Sequence, residues 1–431
     1  MGKLMLRHNF LKNIVAYGVS NGLAAVSPLL LLPILTRVFT PNELGQYSMY
    51  LMVYAIFTIF LGLNQHGAIT VSYHKMNSSD FIELLKAATI LPLLCFVLLL
   101  MLCFVFVDVV VVYVKLDAYY TYLAVSAALF NVYLLLFLSV LQTSNNPLKY
   151  LGGKLVHTIS DILFTLFFLL ILYLGITGRI FAFNIALIFS AILGGYFVFK
   201  IGFSFSYKNS LFKKDFVKKI IIYGVPLIPH TIAGVMLMYI DRVMLANVVG
   251  LDSVGIYLAA LQVSMIFLII IEPVNKAYAP WLFSKLSKVS DFEKSRIVKM
   301  TYMYFVILFT LSFFLTLVSK FFYYDFVGQA FSQGINLLPI MFLGFAFQGM
   351  YYSVTNYILF SERTGVLSII SGTVAIIGSI FSYLLTYKFE MIGAAYSFMI
   401  TNLLLFLSVW FFSNKLFPMP WFSFFSVRSQ S

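Results

Sequence analysis

The sequence predicts an all-α polytopic membrane protein with about twelve transmembrane helices, in two six-helix bundles related by a parallel pseudo-two-fold repeat around a central cavity. Three observations carry that expectation. The composition is too apolar for a soluble fold, apolar runs of span length recur from end to end, and a phrase around Arg37 returns around Arg242.

Of the 431 residues, 62% are hydrophobic and only 10% charged. So few polar side chains cannot coat a soluble surface. About 20 apolar residues cross roughly 30 Å of hydrocarbon as a helix. Such runs fall near 14–35, 46–65, 87–108, 120–141, 155–174, 180–199, 220–240, 255–274, 300–319, 335–358, 366–386 and 393–412. They are continuous and rich in Leu, Ile and Phe, without the ten-residue alternation of a barrel strand, so they read as helices.

Taken in order, the first span follows MGKLMLRHNFLKN and is too long for a cleaved signal, so it is expected to be retained. It carries Asn9, Asn13, Tyr17 and Asn21 at four-residue steps, with Lys12 beside them. The second offers Tyr47, Tyr54, Thr58 and Gln65. The third holds Cys95 and Cys103, which match no metal or redox spacing and read as packing residues. On the fifth, Lys154, His157, Asp161 and Thr165 share one helical face. A lone ionisable group in lipid costs roughly 2.5–3.5 kcal/mol, so this face should point into the bundle. Either Lys154 pairs with His157 or Asp161, or the stripe lines a substrate path. In the seventh, Pro226 and Pro229 flank a bending point next to His230. Glu272, Asn275 and Lys276 end the eighth, and Gln348, Tyr352, Thr355 and Asn356 line one side of the tenth. Such amide and aromatic stripes suit sugars and suit helix packing.

The net charge of +13 would fit nucleic acid, but its placement excludes that partner. Threaded through twelve spans, 22 of the 28 basic residues fall on one side and six, Arg37, Lys115, Arg179, Arg242, Lys320 and Lys388, on the other. Basic loops stay cytoplasmic, so both termini are expected inside. The Lys213, Lys214, Lys218 and Lys219 cluster sets topology, with acidic-lipid contact as a second role.

The repeat places Tyr17-Gly18-Val19 over Tyr223-Gly224-Val225, Arg37-Val38 over Arg242-Val243, and Gly45-x-Tyr47 over Gly255-x-Tyr257. Six spans separate the copies, so both start on the same membrane face, an arrangement found in secondary transporters. The halves are expected to be 1–210 and 211–431. Arg37 and Arg242 read as snorkelling anchors or as contacts for an anionic cargo, and Asp241 as a local charge partner of Arg242.

No G-x-x-x-x-G-K-[ST] occurs, since Gly152-Gly153-Lys154 runs on to Leu155, and no dinucleotide fingerprint, paired-histidine helix or cysteine cluster is present. No cofactor, no metal and no enzymatic chemistry are expected.

The segments LTRVFTPNELGQYS, YGVPLIPHTIAG leading to IDRVMLANVVGLDSVGIY, and EMIGAAYS carry a resemblance. The chain resembles the Wzx-type lipid-linked oligosaccharide (O-antigen repeat-unit) flippases of the multidrug/oligosaccharidyl-lipid/polysaccharide exporter superfamily. The resemblance implies a multi-pass protein of the bacterial cytoplasmic (inner) membrane that moves an undecaprenyl-diphosphate oligosaccharide to the outer leaflet, with proton or sodium coupling as one drive and product removal as another. It makes a polysaccharide polymerase and chain-length machinery candidate partners beside the lipid bilayer. Candidate cargo contacts are Lys12, Tyr17, Asn21, Lys154, Lys276, Gln348 and Asn356, with Arg37 and Arg242 near the outer mouth. Candidate coupling groups are His157, Asp161, Asp241 and Glu272. The rivals are a multidrug-type cation antiporter of the same superfamily and a membrane-embedded polysaccharide polymerase or ligase. Spans one and seven lack the carboxylates of the former, except Asp241 at the rim, and the short outer loops leave no room for the latter.

Overall fold

The computed structural model describes Gly22 and residues 26–201, 213–287 and 290–421. Lys12, Tyr17 and Asn21 therefore lie outside the described residues. The helices are α1 (Val26–Val38), α2 (Pro41–Gly62), α3 (Gln65–Tyr73), α4 (Ser78–Val114), α5 (Ala118–Thr143), α6 (Pro147–Leu166) and α7 (Gly175–Lys200). They continue as α8 (Lys214–Gly224), α9 (Ile228–Val248), α10 (Leu251–Ser264), α11 (Ile266–Leu286), α12 (Asp291–Val327), α13 (Leu338–Phe360) and α14 (Thr364–Leu416). No strand occurs among the described residues.

Ten helical stretches among the described residues are long and apolar enough to cross a membrane, and α1 and α10 are shorter apolar helices. Two local events take the count from twelve to ten. Half of the first predicted run lies outside the described residues, and the rest forms the short α1. The eighth is split between α10 and α11 by a turn at Met265, with α11 counted as its span. The last two runs join as α14, in which Glu390 (φ 51°, ψ −130°) leaves helical geometry and marks two helices meeting at a kink. Large apolar side chains stand exposed on α4 (Phe104, 81%) and α12 (Phe321, 77%), as lipid-facing helices require.

The helix ends follow local chemistry. Thr40 caps α2 with a capping box, accepting from the Glu43 backbone N–H at 3.3 Å while the Glu43 carboxylate takes the Thr40 N–H at 2.8 Å, and Pro41 fits the first helical position. The second copy of this turn uses Gly250 at φ 132°, a conformation closed to residues with a Cβ. Ser290 and Glu293 form a second capping box at α12. The proline pair in the seventh predicted span interrupts it as expected, with a short 3-10 segment, Val225–Leu227, joining α8 to α9.

The chain forms two compact units that divide between Val235 and Met236 rather than at the expected 210/211. The reason is packing: α8 lies on α3 and α4 and so belongs with the first unit. In that unit α5 packs on α2 and α7, and α6 on α7; in the second, α13 is the central element, against α14, α12 and α11.

The α8 terminus is fixed by a close approach. A Cβ on Gly224 would stand 1.7 Å from the Leu63 carbonyl oxygen. Backbone cannot yield there as a side chain end could. Gly224→Ala is expected to cost about 3 kcal/mol or more, read as reduced yield of monodisperse protein and a lower unfolding temperature. A wild-type unfolding curve would show that the approach is looser than described.

Candidate functional site

In the first unit the ionisable stripe of α6 meets a residue from the next helix. Asp161 and Arg179 are 7% and 4% exposed, and their forks join in parallel, Nη1 to Oδ1 at 2.6 Å and Nη2 to Oδ2 at 3.1 Å. Arg179 Nη1 also donates to Thr165 Oγ1 at 3.0 Å, and Thr165 donates to the Asp161 carbonyl at 2.5 Å. The guanidinium lies over the rings of Tyr47 (5.0 Å) and Phe183 (5.7 Å). Beyond it, Asn184 donates to the Tyr50 hydroxyl at 2.9 Å and accepts from Ser126 at 2.7 Å. The His157 ring packs against Phe183 at 6.3 Å, and its Nδ1 is buried without a hydrogen-bond partner.

This corrects one expectation. Asp161 pairs not with Lys154 but with Arg179, which is buried beside it and neutralises it. The available signal was the three-residue link Leu172–Leu174, which folds α7 back beside α6 so that a long side chain early in α7 reaches the last turns of α6. Lys154 is half-buried one turn from His157 and acts on it electrostatically.

The second unit holds the counterpart. Asp241 and Arg242 are 6% and 3% exposed, and the guanidinium charge acts on the carboxylate without closing an ion pair. Adjacent residues on a helix point about 100° apart. Arg242 instead covers the Tyr239 ring at 4.5 Å, with its Nε unpartnered, so it is not the snorkelling anchor expected from the sequence. Arg37, its equivalent in the repeat, is exposed and donates to the Pro33 carbonyl at 2.7 Å. Asp241 Oδ2 accepts a long 3.5 Å bond from Tyr257, and Oδ1 has no partner. Ser382 and Ser397, both fully buried on α14, lie beside this carboxylate without closing a hydrogen bond of normal geometry. Thus the Gly-x-Tyr tyrosine of each copy, Tyr47 or Tyr257, abuts a buried charge; in one unit that charge is paired, in the other it is a carboxylate among hydroxyls.

The remaining candidates separate. Glu272 and Lys276 form an exposed i,i+4 pair at 3.5 Å, of little energetic weight. Asn356, 2% exposed, donates to Asn275 Oδ1 at 3.0 Å, and Gln348 donates to the Tyr352 hydroxyl at 3.2 Å. Asn275 lines a largely apolar cavity of about 190 Å³ with Val274, Tyr278, Met300, Thr301, Tyr304 and Ser353. Among the described residues no cluster of His, Cys, Asp and Glu suited to a metal ion occurs. Ser382, Ser397, Asn184 and Ser126 were not singled out from the sequence, because small polar residues within apolar runs carry no periodic signal.

The polysaccharide biosynthesis protein family matches residues 10–287, well over half of the chain. The chain belongs to that family. A family relative is the capsular polysaccharide biosynthesis protein CapF of Staphylococcus aureus, 26% identical over 440 residues, covering 94% of this chain and 100% of CapF. Among solved structures, this family member shares its fold with the lipid II flippase MurJ in an inward closed conformation (TM-score 0.73, 16% identity, 93% of this chain and 87% of MurJ). It also shares it with an inward-facing multidrug resistance MATE family transporter (TM-score 0.70, 12% identity, 91% and 97%). The helical membrane fold is therefore common to this polysaccharide biosynthesis protein and both of those proteins.

Proposed function

We propose that this protein is a flippase that carries an undecaprenyl-diphosphate-linked oligosaccharide from the inner to the outer leaflet by alternating access. The observation that carries the reading is the polysaccharide biosynthesis family match, in a chain whose fold is that of the lipid II flippase MurJ over 93% of its length. The chemistry agrees. A diphosphate with sugars cannot cross hydrocarbon unaided, since desolvating its charges costs on the order of 10 kcal/mol or more. A cation about 4 Å from a phosphate returns roughly 4 kcal/mol at an effective dielectric near 20. Lys12, Lys154 and Lys276 are the cations assigned to the inner mouth and Arg37 to the outer, with Tyr17, Asn21, Gln348 and Asn356 as polar contacts. Arg242 is enclosed beside Asp241 and acts on the cargo only through that centre.

Coupling is assigned to Asp241. A buried carboxylate flanked by hydroxyls and lacking an ion-pair partner is stabilised by a proton or a small cation, whereas Asp161 already has its cation. Glu272 is exposed and His157 lies beside the closed Asp161 pair, so both are secondary to Asp241.

The test is translocation of a lipid-linked oligosaccharide in vesicles containing the purified protein. Wild-type protein moves it to the opposite leaflet. Lys154→Glu with Lys276→Glu, inserted at normal levels, is expected to slow the transfer at least about tenfold, the equivalent of less than half of one such phosphate contact. Undiminished transfer removes these two lysines from the path, and no transfer by the wild type ends the flippase reading.

A further inference from the structure

The second span breaks between Gly62 and Gln65. Between α2 and α3, Leu63 and Asn64 both adopt left-handed backbone (φ 43° and 50°), a costly conformation for residues with a Cβ. Asn64 Nδ2 donates to the Gly224 carbonyl at 3.4 Å, locking the break against the end of α8. Beside it lies a cavity of about 150 Å³, lined by Thr58, Asn64, Gln65 and His66, with apolar walls from Ile59, Gly62 and, on α5, Val132 and Leu135. Gln65 is 1% exposed, and neither its oxygen nor its nitrogen has a hydrogen-bond partner. A buried amide left wholly unpartnered carries the full desolvation penalty of both groups.

The duplicated half provides an internal control. Gln65 follows Gly45 of Gly-x-Tyr by 20 residues, and Asn275 follows Gly255 by the same 20. In the second unit this amide is closed within its own bundle, with Asn356 donating to Asn275 at 3.0 Å. The fold can satisfy an amide at this place, and the first unit leaves it open.

The chemistry of the lining narrows what closes it. Among the cavity residues there is no Asp or Glu to strip a cation of water and no Lys or Arg to neutralise an anion. What remains is two amides, a hydroxyl and an imidazole, all able to act uncharged. An amide presents a donor and an acceptor side by side, which matches adjacent hydroxyls. Water needs only roughly 10–15 Å³ for each molecule, so the cavity holds several waters or one sugar ring.

We propose that the cavity at the α2–α3 break, read through the Gln65 amide, is a subsite for an uncharged, hydroxyl-bearing ring of the cargo, and that it gives this protein its preference for a sugar-bearing carrier over the bare one. The proposal rests on the flippase reading above. Waters fill the site when it is unloaded, and sugar hydroxyls replace them on loading.

The experiment measures binding of undecaprenyl diphosphate, bare or bearing one hexose, N-acetylhexosamine or 6-deoxyhexose, to the full-length protein in nanodiscs, together with its unfolding temperature. The wild type is expected to bind at least one sugar-bearing probe about tenfold more tightly than the bare carrier, the scale of one or two hydrogen bonds. Gln65→Met, similar in shape and without hydrogen-bonding groups, is expected to abolish that preference while binding the bare carrier as before. Its unfolding temperature should be equal or higher, because an unpartnered amide has been removed from the interior. A Gln65→Met protein that keeps the preference overturns the proposal. So does one that loses stability and binds both carriers less well, since the amide is then structural. A wild type that binds the carriers without preference overturns the subsite alone, and one that binds none of them overturns the flippase reading with it.

Discussion

Arg179→Met is expected to be the most destabilising single substitution in the first unit. It leaves the Asp161 carboxylate buried at 7% exposure with its two guanidinium bonds gone and only neutral neighbours. Breaking a buried pair by removing one partner costs about 3–5 kcal/mol. For protein in detergent this corresponds to a fall in apparent unfolding temperature on the order of 5–10 °C. The cation also covers Tyr47 and Phe183, so the loss extends to α2. The double variant Asp161→Leu with Arg179→Met is expected to recover most of the stability, because no charge then remains in the interior. Thermal unfolding of the three proteins decides the matter. If Arg179→Met alone unfolds like the wild type, Asp161 is solvated or protonated in the native protein and the pair does not hold the unit together.

Asp241→Asn is expected to do the reverse, sparing the fold and removing the drive. The wild-type carboxylate has one long bond from Tyr257, one unpartnered oxygen and no ion pair. An uncharged amide of the same shape is easier to bury there, so the unfolding temperature should hold or rise. In vesicles with an imposed proton or sodium gradient, the wild type is expected to flip faster than without one, and Asp241→Asn at the same rate in both. Because a ligand shifts a conformational equilibrium only by its differential affinity, a group that no longer titrates or binds a cation transmits nothing. Varying the proton gradient and the sodium gradient separately identifies the ion. A wild type indifferent to both gradients leaves product removal as the drive, and an Asp241→Asn protein that still responds moves the coupling elsewhere.

These two carboxylates also show where sequence reading stopped. Both are visible as ionisable residues in apolar runs. Asp161 shares a helical face with Lys154, yet its partner comes from the next helix, where the short turn between α6 and α7 folds Arg179 back onto it. Asp241 is adjacent to Arg242, whose charge acts on it, yet adjacency on a helix separates the side chains and no ion pair closes. Gln65 is legible as one member of a polar stripe, but the left-handed break that places it beside a cavity falls on Leu63 and Asn64 rather than on the adjacent Gly62.

By itself the sequence determined the class of molecule. Apolar runs of span length must be helices in lipid, because every backbone polar group has to be satisfied within the segment. It likewise carried the doubled phrase, whose tyrosines Tyr47 and Tyr257 are both buried beside a charge. Only the tertiary structure decided which charge is closed and which is open. Hydropathy and periodicity report what one helix presents to its surroundings, whereas the state of a buried carboxylate or amide is set by groups arriving from other helices at distances of about 3 Å.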